Sequence, residues 1–189
     1  MFGLSNTKNR KSEMYATSTD FCRIFERDMN RLYLLSLLLT GSADSAEKCF
    51  VQGLDSSKTS SPVFKEWAES WARRTIVQNA IQMVKPSPAD VIRASSIAGH
   101  NTPGQPPEVR AILALPAFDR FAYVLSVLEG YPLHECALLL DCSRGEAVTA
   151  RMRALQEVVK SVETHRTAAN ALVEVGRGRE KFSHLAATA

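Results

Sequence analysis

The sequence predicts an all-α protein in which two small helical domains are joined by a Pro-rich linker, the C-terminal one containing a helix-turn-helix. Three observations carry that expectation. Apolar residues recur at three- and four-residue spacing in several separate runs, and no run alternates with the two-residue period of a strand. Capping residues, glycines and prolines bracket those runs. Between Lys85 and Pro107 the composition shifts to five prolines and two glycines, with only Asp90 and Arg93 charged.

The 189 residues are 45% hydrophobic and 23% charged, an ordinary globular balance that excludes a wholly disordered chain. Twenty-three Lys and Arg against twenty Asp and Glu leave a net charge of +3, too small to announce a nucleic-acid or membrane partner by itself. Leu32–Leu39 is the longest near-continuous apolar run, far short of a membrane span. Lys8, Arg10 and Lys11 lead into no apolar stretch, so no secretory signal is expected and a cytoplasmic location is the default. Cys22, Cys49, Cys136 and Cys142 form no C-x-x-C pair, which reads as reduced thiols with no metal site and no cofactor.

In chain order, residues 1–19 are polar and expected to be flexible, with Asp20 capping the first helix. Residues 20–85 form the first bundle. Phe21, Ile24, Phe25, Met29, Leu32, Leu35, Ser36 and Leu39 line one helix that Thr40 and Gly41 stop. Asp44 and Glu47 have capping-box spacing and open a short second helix, which Gly53 ends. Asp55 to Ser61 reads as a polar loop, and Pro62 as the first position of a long third helix. On that helix Phe64, Trp67, Trp71, Ile76, Ala80 and Met83 form a seam, with Trp67 and Trp71 as core anchors.

Residues 86–107 are the linker, with room for a short helix at Asp90–Ala98. In residues 108–166, Pro107, Pro116 and Pro132 each precede an apolar run, Glu108–Leu115, Ala117–Glu129 and Leu133–Leu140, and Gly130 supplies a left-handed cap. A last helix opens at the Ser143/Glu146 capping box, lines its core face with Val148, Met152, Leu155, Val159 and Val162, and reaches about Arg166. Residues 167–189 read as a loose tail.

The run Leu133–Leu140, a turn at Asp141 and Cys142, and the helix from Ser143 have the size of a helix-turn-helix, with small Ala137 at the crossing. With the bulky seam inward, Glu146, Thr149, Ala150, Arg153, Glu157 and Lys160 face out, flanked by Arg144 and Arg151. Segment Glu108–Arg166 carries seven basic and eight acidic residues, but Ser143–Arg166 carries five and three, so positive charge is concentrated on the second helix. Catalysis finds no counterpart: His100, His134, His165 and His184 are scattered, and neither a nucleophile elbow nor a phosphate loop occurs, so the protein is not expected to be an enzyme.

The order of these elements resembles an extracytoplasmic-function RNA polymerase sigma factor. DFCRIFERDMNRLYLLSLLLTGSADSAEKCF is similar to the start of that family's region 2, and ILALPAFDRFAYVLSVLEGYPLHECALLLDCSRGEAVTARMRAL to its region 4. The resemblance implies a transcription initiation protein that binds the beta-prime clamp of core RNA polymerase through Glu47, Lys48 and Val51. It also implies capture of the minus-ten element by the loop Asp55 to Ser61, contact with upstream duplex by Arg73 and Arg74, and reading of the minus-thirty-five promoter DNA by Arg144, Thr149, Arg151 and Arg153. An anti-sigma factor is a further partner it implies. Region 2 diverges from the family pattern: Lys48 stands where an acid is preferred, Val51 where Gln is, and the capture loop lacks an aromatic residue. The alternative reading is therefore a sigma-derived regulator that binds DNA or a protein without directing initiation.

Overall fold

The computed structural model describes residues 14–59, 62–89 and 105–186, with side-chain surroundings as far as residue 167 apart from 165. The described residues are helical apart from short connections, and one isolated antiparallel bridge joins Tyr15 to Phe64.

Helix α1, Ser18–Arg27, is opened by Thr17 rather than Asp20. The Asp20 carboxylate accepts from the Thr17 amide and hydroxyl at 2.9 and 2.7 Å, while the Asp20 amide donates to Thr17 Oγ1 at 3.2 Å. Asp20 is thus the third-position partner of a capping box. Nor does the polar lead reach Thr19 as expected: the Ala16 amide donates to the Val63 carbonyl at 2.7 Å, and the Tyr15 and Phe64 rings stack at 4.8 Å.

The predicted long first helix is two, because Asp28 (φ −102°, ψ 19°) leaves helical geometry and α2 runs from Met29 to Thr40. Asp28 closes one helix and opens the next: its amide donates to the Ile24 carbonyl and its carbonyl accepts from the Leu32 amide, both at 2.9 Å. A one-residue break leaves apolar periodicity almost intact, which hides it from pattern reading. Gly41 ends α2 in the left-handed conformation, φ 84°, as anticipated.

Helix α3, Ala43–Thr59, begins with the Ser45 amide donating to Ser42 Oγ at 3.3 Å, and runs straight through Gly53. Gly53 is therefore no stop. It is a crossing point, since a Cβ there would lie 2.8 Å from Cγ1 of Ile76 on the facing helix. The expected loop at Asp55–Ser61 is helical as far as Thr59, with Ser60 and Ser61 outside the described residues.

Pro62 does not open a helix either. Val63 and Phe64 are taken up by the contact with Ala16 and Tyr15, a 3-10 turn follows at Lys65–Trp67, and α4 spans Ala68–Val84. Trp67 is consequently 58% exposed, not a core anchor, whereas half-buried Trp71 lies against the small cluster of Phe21, Val63 and Ala68.

The proline signals hold in the second half. Pro107 stands at the first position of α5, Pro107–Leu113, while Pro116 and Pro132 cap α6, Ala117–Tyr123, and α7, Leu133–Leu139. Helix α6 continues into a π turn, Val124–Leu128, before Gly130 turns the chain at φ 73°. Helix α8 spans Arg144–Ala186, so the expected tail from Thr167 is helical as far as Ala186.

The expected linker core, with the short helix at Asp90–Ala98, lies outside the described residues. Across it the two halves do not keep separate cores. One contiguous cluster of buried side chains includes Leu39 and Ile76 from the first half and Phe118, Phe121 and Ala150 from the second. Among the described residues no helix is long and apolar enough to cross a membrane.

Candidate nucleic-acid interface

Helices α7 and α8 are joined by a tight turn in which Asp141 takes the left-handed conformation at φ 48° and the Cys142 amide donates to the Ala137 carbonyl at 3.0 Å. Aspartate visits this region more readily than most residues. Cys136 and Ala137 are buried, so a small side chain does stand where α7 meets its neighbours. The capping box at the start of α8 forms as the sequence indicates. Glu146 accepts from the Ser143 amide at 2.8 Å and hydroxyl at 2.7 Å, and its own amide donates to Ser143 Oγ at 3.2 Å. These bonds to Ser143 hold the Glu146 carboxyl below its ordinary range.

The rotation of α8 differs from expectation. Ala147, Ala150, Ala154 and Val158 face the core, while Val148, Met152 and Val159 are exposed. Small residues let α8 approach α5 and α6 closely, and Val148, Met152 and Val159 are turned outward by roughly a quarter turn at about 100° per residue, while Leu155 and Val162 of the expected seam still pack, partly buried, against the core. Ala150, expected on the outer face, is therefore buried.

Arg144 is exposed and Arg151 half-exposed, and with Val148 they follow the i, i+4, i+7 spacing of a single helix side. Thr149 is exposed, and its hydroxyl donates to the Gly145 carbonyl at 2.9 Å. Arg153 does not point freely outward. It clasps Asp119 of α6 with two bonds, Nε to Oδ2 at 3.0 Å and Nη2 to Oδ1 at 2.6 Å, and Asp119 is only 3% exposed. The Asp119 hydrogen bonds hold the guanidinium charged.

The remaining basic pair lies elsewhere. Arg74 is exposed on α4, and Arg73 lines a cleft of about 340 Å³ with Arg31 and Ser70 of the first half and Glu129, Tyr131 and Glu135 of the second. Burial pushes the Tyr131 hydroxyl up, with Arg74 and Arg73 acting in the opposite sense. Glu47, Lys48 and Val51 are all exposed on α3, where with Asp44 and Gln52 they line a shallow groove of about 530 Å³. Thus the three residues of the implied clamp surface lie together, Arg144, Thr149 and Arg151 share the start of α8, Arg73 lines the cleft between the halves, and Arg153 is engaged with Asp119.

Sequence reasoning missed Asp119 and Arg120. Their signal was present: two adjacent charges inside the aromatic and aliphatic run Phe118–Leu125 point to polar groups carried into a core. Neither the family models nor the curated proteins compared with this chain give a match.

Proposed function

We propose that this chain is a sigma-like transcription initiation protein, with the α7–α8 unit as its reader of promoter DNA and the α3 groove as its polymerase-binding surface. The observation that carries the reading is the α7 turn α8 geometry, with Asp141 in the left-handed conformation and a capping box presenting the start of α8. A helix presented by its first turn is the element that enters a major groove, and its free amides add an anion site. Arg144 and Arg151 then serve as phosphate contacts on one side of that helix, and Thr149 as a base-edge contact. Arg153 positions α8 on α6 through Asp119.

A second reading, a regulator whose helix-turn-helix binds protein, is favoured by a specific feature. Leu138 is 79% exposed on α7, and Val148, Met152 and Val159 are exposed on α8. An apolar surface of this kind suits a protein partner.

Two measurements separate the readings. Native copurification with core RNA polymerase should recover the enzyme's subunits, and Lys48→Glu with Val51→Gln, which restores the family pattern, should strengthen recovery. Binding of the full chain to duplex DNA should weaken with salt, and Arg151→Ala should reduce the log–log salt slope by about one. Salt-independent or absent DNA binding, with no polymerase recovered, assigns the helix-turn-helix to a protein partner.

A further inference from the structure

Arg120 adds a polar contact between the two halves to the apolar core they share. Its Nη1 donates within its own half, to the carbonyls of Leu115 at 3.1 Å and Leu113 at 3.5 Å, while Nη2 reaches across to the Leu39 carbonyl at 3.3 Å. Leu39 lies in the last turn of α2, whose terminal carbonyls carry the negative end of the helix dipole. Gly41, the left-handed residue just beyond, leaves room for the guanidinium: a Cβ there would lie 2.8 Å from Nη2. The second half thus supplies a cationic cap to a helix of the first.

This seat is also poorly compensated. Arg120 is 8% exposed, its Nε has no partner, and among the described residues no carboxylate lies within ion-pair distance of it. A buried guanidinium held by neutral carbonyls regains hydration on opening, so closure is opposed by desolvation and is not irreversible. Toward the other end of α2, about 12 Å along the helix from Leu39, Arg31 and Arg73 of the first half and Glu129 and Glu135 of the second line one cleft, bringing opposite charges together.

From these observations we propose that Arg120 is a conformational latch: seated on the C-terminal end of α2, it holds the second half against the first and keeps Glu129 and Glu135 in the cleft beside Arg31 and Arg73. What opening releases rests on the sigma-like reading, where Arg73 joins Arg74 at upstream duplex. The latch itself rests on the geometry alone.

The test measures separation and binding independently on the full chain. Spin labels are placed at Glu26→Cys on α1 and His134→Cys on α7, both exposed positions, with Cys22 and Cys142 changed to Ser. The parent protein should give one dominant short distance. Arg120→Gln should add a longer, broader population. Because Arg120 also braces its own half, Glu135→Lys provides a second route, setting like charges against Arg31 and Arg73 without touching the core. Circular dichroism checks that each variant keeps its helix content. Opened variants should bind duplex DNA about tenfold more tightly, as for a competent state raised from about one-tenth of the population. A distance distribution unchanged in both variants overturns the latch. Separation without DNA binding in any variant leaves the latch standing and overturns the sigma-like reading of what it controls.

Discussion

Arg153 and Asp119 set the balance between recognition and stability at the single-residue scale. Arg153→Ala should strand a carboxylate that is 3% exposed, whereas the arginine end is open to solvent. Breaking a buried pair costs about 3–5 kcal/mol, and solvent access at one end lowers this to about 2–3 kcal/mol. A chemical denaturation cycle with Asp119→Asn should show strong coupling between the two positions. Equal stabilities for parent and Arg153→Ala, with a change in base preference alone, would return Arg153 to the DNA. The tryptophans offer an optical counterpart. Trp67, exposed and edge-on to Phe64 at 5.2 Å, should emit like indole in water, and Trp71 should emit further to the blue. Trp67→Ala should cost less than about 1.5 kcal/mol, the upper end for an aromatic pair beyond area burial, and less than Trp71→Ala.

Helix crossings and helix ends govern the element scale. Replacing Gly53 by Ala gains about 1 kcal/mol of helix propensity. Against that, the added Cβ meets fully buried Ile76, and overpacking costs about 1–3 kcal/mol. Overpacking should prevail, because a branched core side chain has nowhere to move. The double variant with Ile76→Ala should be less destabilised than the sum of its parts. At the helix starts, bonds to Thr17 hold the Asp20 carboxyl below its ordinary value, and bonds to Ser143 do the same for Glu146. A carboxyl lowered in the folded state binds protons more readily when unfolded. Its stabilisation is full above the unfolded value of about 4 and is lost as pH falls through the folded one. Acid unfolding should therefore shift to higher pH in Thr17→Ala and Ser143→Ala, whose carboxyls lose that protection. Superimposable acid transitions would show that these caps contribute nothing.

At the scale of the whole molecule, the shared core joins halves that the sequence divides at a Pro-rich segment. Leu39 and Phe118 belong to one buried cluster, so each half alone exposes apolar surface that the full chain covers. The Glu108–Arg166 fragment should melt below the full chain, by about 4–8 °C for each kcal/mol the contact supplies. Identical melting temperatures would mean that the halves touch without stabilising each other.

Helix class, the Pro-led starts of α5, α6 and α7, the turns at Gly41 and Gly130 and the Ser143 capping box were all legible in the sequence. Each depends on backbone chemistry within a few residues: a fixed φ, a missing amide, a side-chain acceptor. What the tertiary structure decided depends on partners distant in sequence. Gly53 spaces two helices because Ile76 faces it, α8 turns its alanines inward because α5 and α6 lie close, and Arg153 is drawn to an Asp119 that α6 carries into the core. The seat of Arg120 on α2 is the extreme case, since a side chain from one half finds its acceptor 81 residues away. Local periodicity says which residues can be buried. Only packing selects, among faces of similar apolar character, the one that is buried.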